Sequence, residues 1–317
     1  MDATLAAWLA AAEGSDEQFA ERLWRLVLRR EIEPDVRDET VRRLADGVSR
    51  ATLVHELVTS PEFERVRMLD DAVAWAAAQR RAGARPRGIE APPGTDERAV
   101  EIPWCLARYG GEPRVLDVGY AFAEAPYVVG LLGLGAGELT GVDLVEGDVP
   151  GLRGVVADVR SLPFDDASFD VAFCISTLEH VGRDNTQYGL PVEDDDESLD
   201  RALAELRRVL ARDGRLLVTV PTGERQHLGE QVQLEPGAWV ERFERAGLLV
   251  FEDELYELGD AGWRSVDSLS PGLRYGERGP AASAVLCAEL RHRRLSERAR
   301  LAIRDRRYRD EPRRATG

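Results

Sequence analysis

The stretch RVLDVGY, from Arg114 to Tyr120, most narrows what this chain can fold into. It is an apolar run that carries one acid, Asp117, ends at Gly119 and passes at once into a helix-like segment. A buried parallel strand that turns sharply into a helix has this pattern. The next strand-like run, ELTGVDL, contains a second acid, Asp143. The layout predicts a nucleotide-type cofactor site in which Asp143 accepts hydrogen bonds from both ribose hydroxyls.

The residues after Gly119 discriminate between cofactors. A dinucleotide site needs further glycines there, so that the backbone can approach a pyrophosphate. This chain has YAFAE instead, from Tyr120 to Glu124, which puts aromatic rings and an acid where a phosphate needs positive charge. The stretch disfavours an NAD-dependent oxidoreductase. It favours a cofactor with an adenosine, a ribose and a cationic sulfonium, which is S-adenosylmethionine.

At these residues the chain resembles the class I S-adenosylmethionine-dependent methyltransferases. VLDVGYAFA matches the strand, the acid and the first glycine of their first motif, with Ala121 and Ala123 at the next two glycine positions. ADVRSLPFDDASFDV matches their passage into the fourth strand, and the resemblance covers residues 114–220 most clearly. It implies a methyltransferase with a Rossmann-like α/β sheet of seven strands, the seventh antiparallel at the edge.

Strand-like and helix-like runs alternate from Arg114 onward, which independently predicts a doubly wound parallel sheet. We expect strands near 114–119, 138–143, 154–158, 169–176, 214–220, 248–258 and 281–290, and helices near 96–109, 124–134, 197–211 and 236–246.

The resemblance implies further cofactor contacts. Asp158 matches the position that accepts a hydrogen bond from the adenine amino group, with the Val159 amide and the Leu144 side chain beside it. Asp117 can face the α-amino group of the methionine part, or can order the loop by accepting from backbone amides. The predicted cofactor set therefore consists of Asp117, Gly119, Tyr120, Ala121, Asp143, Leu144, Asp158, Val159 and Ser176.

The LEHV stretch after the fourth strand resembles the family position beside the transferred methyl group. His180 can act there as a general base on a substrate hydroxyl, or can orient the loop structurally. Glu179, His180 and Asp184 could also share a divalent ion, as in some relatives that methylate hydroxyls. Their spacing does not put all three on one helical face, so we expect no metal.

Two polar stretches predict the acceptor pocket. The first, 182–196, offers Asn185 and Tyr188 as hydrogen-bonding groups for a polyhydroxylated substrate. The second, 222–233, follows the fifth strand and offers Arg225 and a second candidate catalytic residue, His227. Loops at this edge of a sheet commonly carry function, although both stretches could also be solvated surface.

Residues 1–81 read as helices, with Phe19 and Leu23 at helical spacing, Ser49 as an N-cap and Pro61 at a helix start. The stretch from Phe19 to Phe63 resembles a small helical domain of unknown function that recurs beside bacterial surface-glycan and glycosyl-transfer enzymes. That family lends no catalytic residue. We expect a packing or oligomerisation module, or a contact with a glycan enzyme.

Composition divides the rest of the chain. Residues 82–95 are rich in Gly and Pro and predict a linker, 96–290 predict the methyltransferase domain, and 291–317 form a basic tail. The tail has eleven arginines against four acids, a net charge of +7 in a chain of net charge −16. It can dock on the acidic body, or meet an anionic membrane or partner. The overall charge argues against nucleic-acid binding.

The chain contains no lysine, which excludes Walker and Schiff-base chemistry. Its three cysteines are isolated, no apolar run reaches the length of a membrane span, and the N-terminus is a poor signal peptide. We therefore expect a cytoplasmic S-adenosylmethionine-dependent methyltransferase that acts on a hydroxyl of a sugar or glycan intermediate. The alternatives are another small-metabolite acceptor, or a methyltransferase-like protein that binds without catalysis.

Overall fold

The computed structural model describes residues 13–186, 195–279 and 281–293 of the chain. Its contacts divide the chain into two compact units, Met1–Ala72 with Glu124–Tyr127, and Val73–Ala123 with Val128–Gly317. The predicted basic tail therefore lies almost wholly outside the described residues.

Helices form the first unit. They are α1 (Asp16–Val27), α2 (Pro34–Ala45), α3 (Arg50–Val58) and the first part of α4 (Pro61–Arg81). Ser15 and Gln18 form a capping box on α1, and the Ser49 hydroxyl caps α3 by accepting from the Thr52 N–H, as the sequence predicts. Apolar positions at helical spacing bury a small core of Phe19, Leu23, Val27, Leu28, Leu53, Val54 and Leu57.

A large mixed sheet forms the second unit. Its strands are β1 (Arg114–Val118), β2 (Glu138–Asp143), β3 (Arg153–Val156), β4 (Phe169–Ile175), β5 (Leu210–Pro221), β8 (Leu248–Gly259), β9 (Gly262–Val266) and β10 (Ala284–His292). They lie in the order β3-β2-β1-β4-β5-β10-β8-β9. Strands β1 to β5 pair in parallel. Strand β10 pairs antiparallel with β5 and with β8, and β9 pairs antiparallel with β8. A separate two-stranded ladder joins β6 (Gln226–His227) to β7 (Val232–Gln233).

The prediction of a seven-stranded sheet is wrong, because the described sheet has eight strands. The eighth, β9, pairs with β8 through a tight hairpin between Gly259 and Gly262, inside a stretch that reads as loop. The last strand in the chain is also not at the edge: β10 lies between β5 and β8. The stretch Gly262–Val266 does not alternate strictly between apolar and polar residues, so its sequence does not indicate a strand, and its pairing with β8 in the hairpin orders it.

Helices cover the sheet of the second unit. They are α5 (Arg98–Ala107), the part of α6 (Ala125–Leu132) that follows Tyr127, α7 (Asp196–Val209) and α8 (Pro236–Arg245), with one 3-10 turn, Leu178–His180. Large side chains fill the core, among them Phe243 and Trp239 of α8 and Leu203 of α7. The core holds the strand ends in register, which fixes where the loops after β1, β2 and β4 emerge.

The segment 82–95, which composition predicts to be a linker, packs on this unit. The Gly88 N–H donates to Glu254 Oε1 at 2.6 Å, and Ala91 pairs with Trp263 of β9. Ile89 and Ala91 are buried. Residues 82–95, which we call the covering segment, therefore pack on the edge of the sheet at β9. A bare edge strand exposes unpaired backbone groups, and the covering segment pairs with some of them.

Candidate cofactor and acceptor site

The sheet reverses its winding between β1 and β4, since β2 and β3 lie on one side of β1 while β5 lies beyond β4. Doubly wound sheets bind ligands outside the carboxyl ends of the strands at such a point. The turn at Gly119 and the segment from Ser176 to His180 both emerge there. The predicted cofactor and catalytic residues of these two strands therefore share one edge of the sheet.

Gly119 makes the turn after β1 with φ of +93°, a conformation that favours glycine. A Cβ at this position would lie 2.6 Å from Thr177 Oγ1, so the loop after β4 packs directly on the turn. Thr177 Oγ1 in turn donates to the Val118 carbonyl at 3.1 Å. A side chain at Gly119 would push these two loops apart.

Asp143 stands at the end of β2 and faces this turn. Its Oδ2 accepts from the Ala121 N–H at 2.9 Å, and its Oδ1 accepts from the Leu144 N–H at 2.7 Å. The side chain is half-buried. A carboxylate oxygen can accept more than one hydrogen bond, so both oxygens retain capacity for ribose hydroxyls. The structure thus brings Gly119, Ala121, Asp143 and Leu144 together.

Tyr120 lies behind the turn instead of crowding it. Its side chain is 1% exposed, and its hydroxyl donates to the Gly147 carbonyl and accepts from the Gly147 N–H, at 3.2 and 3.1 Å. Gly141 and Gly154 leave room for the ring, since a Cβ at either position would meet it. Only the backbone of Tyr120 is therefore left for a ligand.

Asp117 lies in the middle of β1, between Gly141 of β2 and Phe173 of β4, and is 1% exposed. It is one pleat from the Gly119 turn and buried beneath it. Ser176, after β4, has φ of +42°, and its N–H donates to the Thr219 carbonyl and hydroxyl, each at 3.1 Å.

Asp158 is engaged by its neighbour Arg160. The Asp158 carboxylate accepts from the Arg160 N–H at 2.8 Å and from the guanidinium at 2.6 to 3.0 Å. Burial raises the pKa of Asp158, but these bonds outweigh it and hold the pKa below its usual value. An adenine amino group would share this carboxylate with Arg160. Val159 packs against the core of the sheet.

His180 ends the 3-10 turn after β4. Its Nδ1 is 2.7 Å from the Glu230 carbonyl oxygen, so the tautomer with hydrogen on Nδ1 leaves a lone pair on Nε2. Burial lowers the pKa of His180, which keeps the ring neutral near pH 7. A neutral imidazole with one fixed nitrogen is suited to accept a proton.

The other predicted acceptor residues occupy different surroundings. Asn185 Nδ2 donates to the carbonyls of His180 and Arg183, at 3.2 and 3.1 Å, so its amide fixes the loop. Arg225 is exposed and pairs with Glu235 at 3.3 Å, and His227 is exposed on β6. Tyr188 lies outside the described residues. Within the described ranges, no group of three or more His, Cys, Asp or Glu side chains could hold a metal ion.

Sequence reasoning missed a buried group of glutamates beside β4, which we call the glutamate cluster: Glu97, Glu101 and Glu179. Glu101 accepts from the Ser176 hydroxyl at 2.9 Å on both oxygens, and from Arg98 Nη1 at 2.7 Å. Glu97 lies 3.4 Å from the same guanidinium nitrogen. The spacing of Glu97 and Glu101 on one helix face was visible, but their meeting with Glu179 depends on the fold.

Comparison with known proteins identifies the domain. Residues 116–218 match the family described as "Methyltransferase domain". An uncharacterized protein of Methanocaldococcus jannaschii is 35% identical over 68 residues, which are 22% of this chain and only 23% of that relative.

Two solved structures are similar at low identity. One is a Burkholderia thailandensis 1,6-didemethyltoxoflavin-N1-methyltransferase with bound S-adenosylhomocysteine, 16% identical, with 74% of this chain and 92% of that chain covered and a TM-score of 0.42. The other is the [4+2]-cyclase SpnF, 19% identical, with 72% and 94% covered and a TM-score of 0.43. At these values neither likeness says what this chain binds or does.

The domain match spans the Gly119 turn, Asp143, Asp158 and His180, which are the residues that the winding of the sheet brings to one edge. Among the described residues, no helix has the length and apolar character to cross a membrane. The chain therefore contains an S-adenosylmethionine-dependent methyltransferase domain over residues 116–218.

Proposed function

We propose that the whole protein is a methyltransferase that transfers the methyl group of S-adenosylmethionine to a hydroxyl of a sugar or glycan-type intermediate. The observation that carries the hydroxyl acceptor is His180, which is neutral and is held at Nδ1 by the Glu230 carbonyl. It lies three residues after Thr177, which packs on the Gly119 turn. The sugar-type acceptor is supported by the resemblance of residues 19–63 to a helical domain that recurs beside glycan enzymes.

The residues at the edge of β1 and β2 fit the cofactor. Asp143 offers carboxylate oxygens to two ribose hydroxyls while the Ala121 and Leu144 amides hold it in place. Gly119 lets the backbone approach, and the alanines at 121 and 123 add only a methyl group each. The turn, residues 119–124, contains no arginine, so its own side chains carry no positive charge that would repel a sulfonium.

S-adenosylmethionine supplies an electrophilic methyl group: the bond from carbon to the acceptor oxygen forms, the bond to sulfur breaks, and its electron pair stays on sulfur. The chain's part is to orient the acceptor and to take the hydroxyl proton on His180 Nε2. The loop contacts of Asn185 and Glu230 hold the imidazole for this step. Arg225 and His227 form the outer wall of the acceptor pocket in this proposal, and Tyr188 is the further acceptor-binding residue that the sequence predicts.

We place the reaction in the cytoplasm. Cys105, Cys174 and Cys287 are free and buried, and burial raises the pKa of each thiol well above its usual value. Unpaired thiols are typical of proteins in a reducing compartment.

The test is transfer of labelled methyl groups from S-adenosylmethionine to a panel of sugar nucleotides and glycan extracts. We expect the label to appear in a sugar fraction. We also expect His180→Ala to lower kcat by about 10²- to 10⁴-fold without lowering the affinity for S-adenosylhomocysteine. His55→Ala, on an exposed face of α3, is the matched control and should not change kcat.

Three results would count against this function. Label that appears only in other metabolites rules out the sugar acceptor. An unchanged kcat in His180→Ala rules out the base. Binding of S-adenosylhomocysteine without transfer to any acceptor favours the non-catalytic alternative.

A further inference from the structure

The glutamate cluster is short of positive charge. Glu97, Glu101 and Glu179 are 7%, 0% and 2% exposed, and Arg98 is the guanidinium that the structure places among them. Glu101 is well satisfied by Ser176 and Arg98. Glu97 Oε2 and Glu179 Oε2 are buried and have no hydrogen-bond partner among the described residues. Two carboxyl oxygens of the cluster are therefore buried without a hydrogen-bond donor from the described residues.

Two other acids of this unit, the half-buried Glu252 and the buried Glu289, have arginine partners. Glu252 pairs with the buried Arg108 at 2.9 Å, and Glu289 pairs with Arg215 at 3.3 Å and with Arg291 at 2.6 Å. An isolated buried carboxylate is unfavourable by several kcal/mol unless a charge or donors compensate it. Arginine partners thus compensate Glu252 and Glu289, whereas Glu97 Oε2 and Glu179 Oε2 have no hydrogen-bond donor among the described residues.

Protonation is the present means of compensation. Burial raises the pKa of Glu179 to about 8 and that of Glu97 to about 7. Near pH 7, Glu97 is therefore about half-protonated and Glu179 is mostly protonated, and a cation in the cluster would release those protons. A site poised in this way gains most from binding a positive charge.

The position of the cluster connects it to the reaction. Ser176, which bonds Glu101, precedes Thr177, and Thr177 packs on Gly119. Arg98 has 27% of its side chain exposed, so the cluster reaches solvent. Tyr275 closes another side, and its pKa is raised by burial and by the nearby Glu97 and Glu179. The cluster borders the edge of the sheet at which the acceptor is proposed to bind.

We propose that the methyl acceptor carries a protonated amine, and that Glu97 and Glu179 bind this ammonium group beside the acceptor hydroxyl. This inference rests on the proposed function and narrows its substrate class to hydroxylated amines, such as an amino sugar with a free amine. An ammonium group has three N–H donors, which matches the two donor-less carboxyl oxygens and leaves one N–H for Tyr275 or a substrate oxygen.

The experiment uses the full chain loaded with S-adenosylhomocysteine and two probes that differ in charge, glucosamine and N-acetylglucosamine. Binding is followed by titration with ¹³C-carboxyl NMR of glutamate-labelled protein. We expect glucosamine to bind at least about tenfold more tightly than N-acetylglucosamine, and to shift the Glu97 and Glu179 signals.

Glu97→Gln and Glu179→Gln keep the side-chain shape and remove a buried charge, so both variants should fold. Each variant should bind glucosamine about tenfold more weakly than the wild type, and its affinities for N-acetylglucosamine and S-adenosylhomocysteine should not change. Glu146→Gln, an exposed acid after β2, is the matched control and should change none of the three.

The inference is overturned if S-adenosylhomocysteine binds but glucosamine does not, if the two sugars bind alike, or if the Gln variants bind glucosamine as the wild type does. It is also overturned if those variants lower the affinity for S-adenosylmethionine instead, since the cluster would then be part of the cofactor site. Absence of S-adenosylhomocysteine binding is a separate result that removes the proposed function itself.

Discussion

At the residue scale, Glu179 links the site to the stability of the fold. Its burial raises its pKa from 4.5 to about 8. Between these values the folded protein holds a proton that the unfolded chain has lost, so the free energy of unfolding falls as pH rises. His180 has the opposite sign, because its pKa is lowered, and its contribution rises with pH through the ordinary histidine range.

Glu179→Gln should remove the part of this pH dependence that belongs to Glu179. We expect the free energy of unfolding of the variant to exceed that of the wild type by an amount that grows between about pH 5 and pH 8, up to roughly a few kcal/mol. Thermal unfolding across this range measures the difference, and Glu146→Gln provides the control. A constant difference between variant and wild type at all pH values would mean that Glu179 is ionised throughout.

At the element scale, the β8–β9 hairpin depends on Gly262. This residue has φ of +103°, and a Cβ there would collide with the Ala91 carbonyl of the covering segment. We expect Gly262→Ala to lower the free energy of unfolding by about 2–4 kcal/mol, from backbone strain and the collision together.

Gly259→Ala is the matched control, because it lies at the other end of the same turn. A Cβ at Gly259 meets nothing nearer than the Gly262 carbonyl oxygen at 3.9 Å. Urea unfolding followed by tryptophan fluorescence can compare the two, since Trp263 is buried next to the turn. Equal losses in both variants would show that the covering segment does not pack on the hairpin.

The elements with a long periodic pattern could be predicted from the sequence. The strands from Arg114 to Asp143, α7 and α8 lie within a few residues of their expected bounds. The hairpin strand β9 could not, because its five residues, GWRSV, show no strict alternation of apolar and polar side chains. The same limit applies to the covering segment, whose Gly and Pro content is typical of a linker although Ile89 and Ala91 are buried.

The candidate site divides in the same way. Gly119 and Asp143 were predictable because each ends a strand whose pattern is clear in sequence, and parallel strand ends meet at one edge. The burial of Tyr120 was not, because it depends on three glycines that surround the ring in space. The glutamate cluster needs α5, which precedes β1, to meet the turn after β4.

At the scale of the whole molecule, the acid content has two distinct roles. The chain has a net charge of −16, and most acids lie at the surface, where they pair with arginines or solvent. A small number are buried, and their partners separate structural pairs from the glutamate cluster. Net charge alone would not have shown this difference, because it reports on solubility and partners and not on sites.

We propose that this protein binds S-adenosylmethionine through the edge of the sheet that contains Gly119 and Asp143. The test is calorimetric titration with S-adenosylhomocysteine and with NAD, on the wild type, Asp143→Asn and the exposed control Asp148→Asn. We expect that S-adenosylhomocysteine binds and NAD does not, that Asp143→Asn weakens binding about tenfold or more, and that Asp148→Asn has no effect. Binding of NAD alone, or an unchanged affinity in Asp143→Asn, would contradict it.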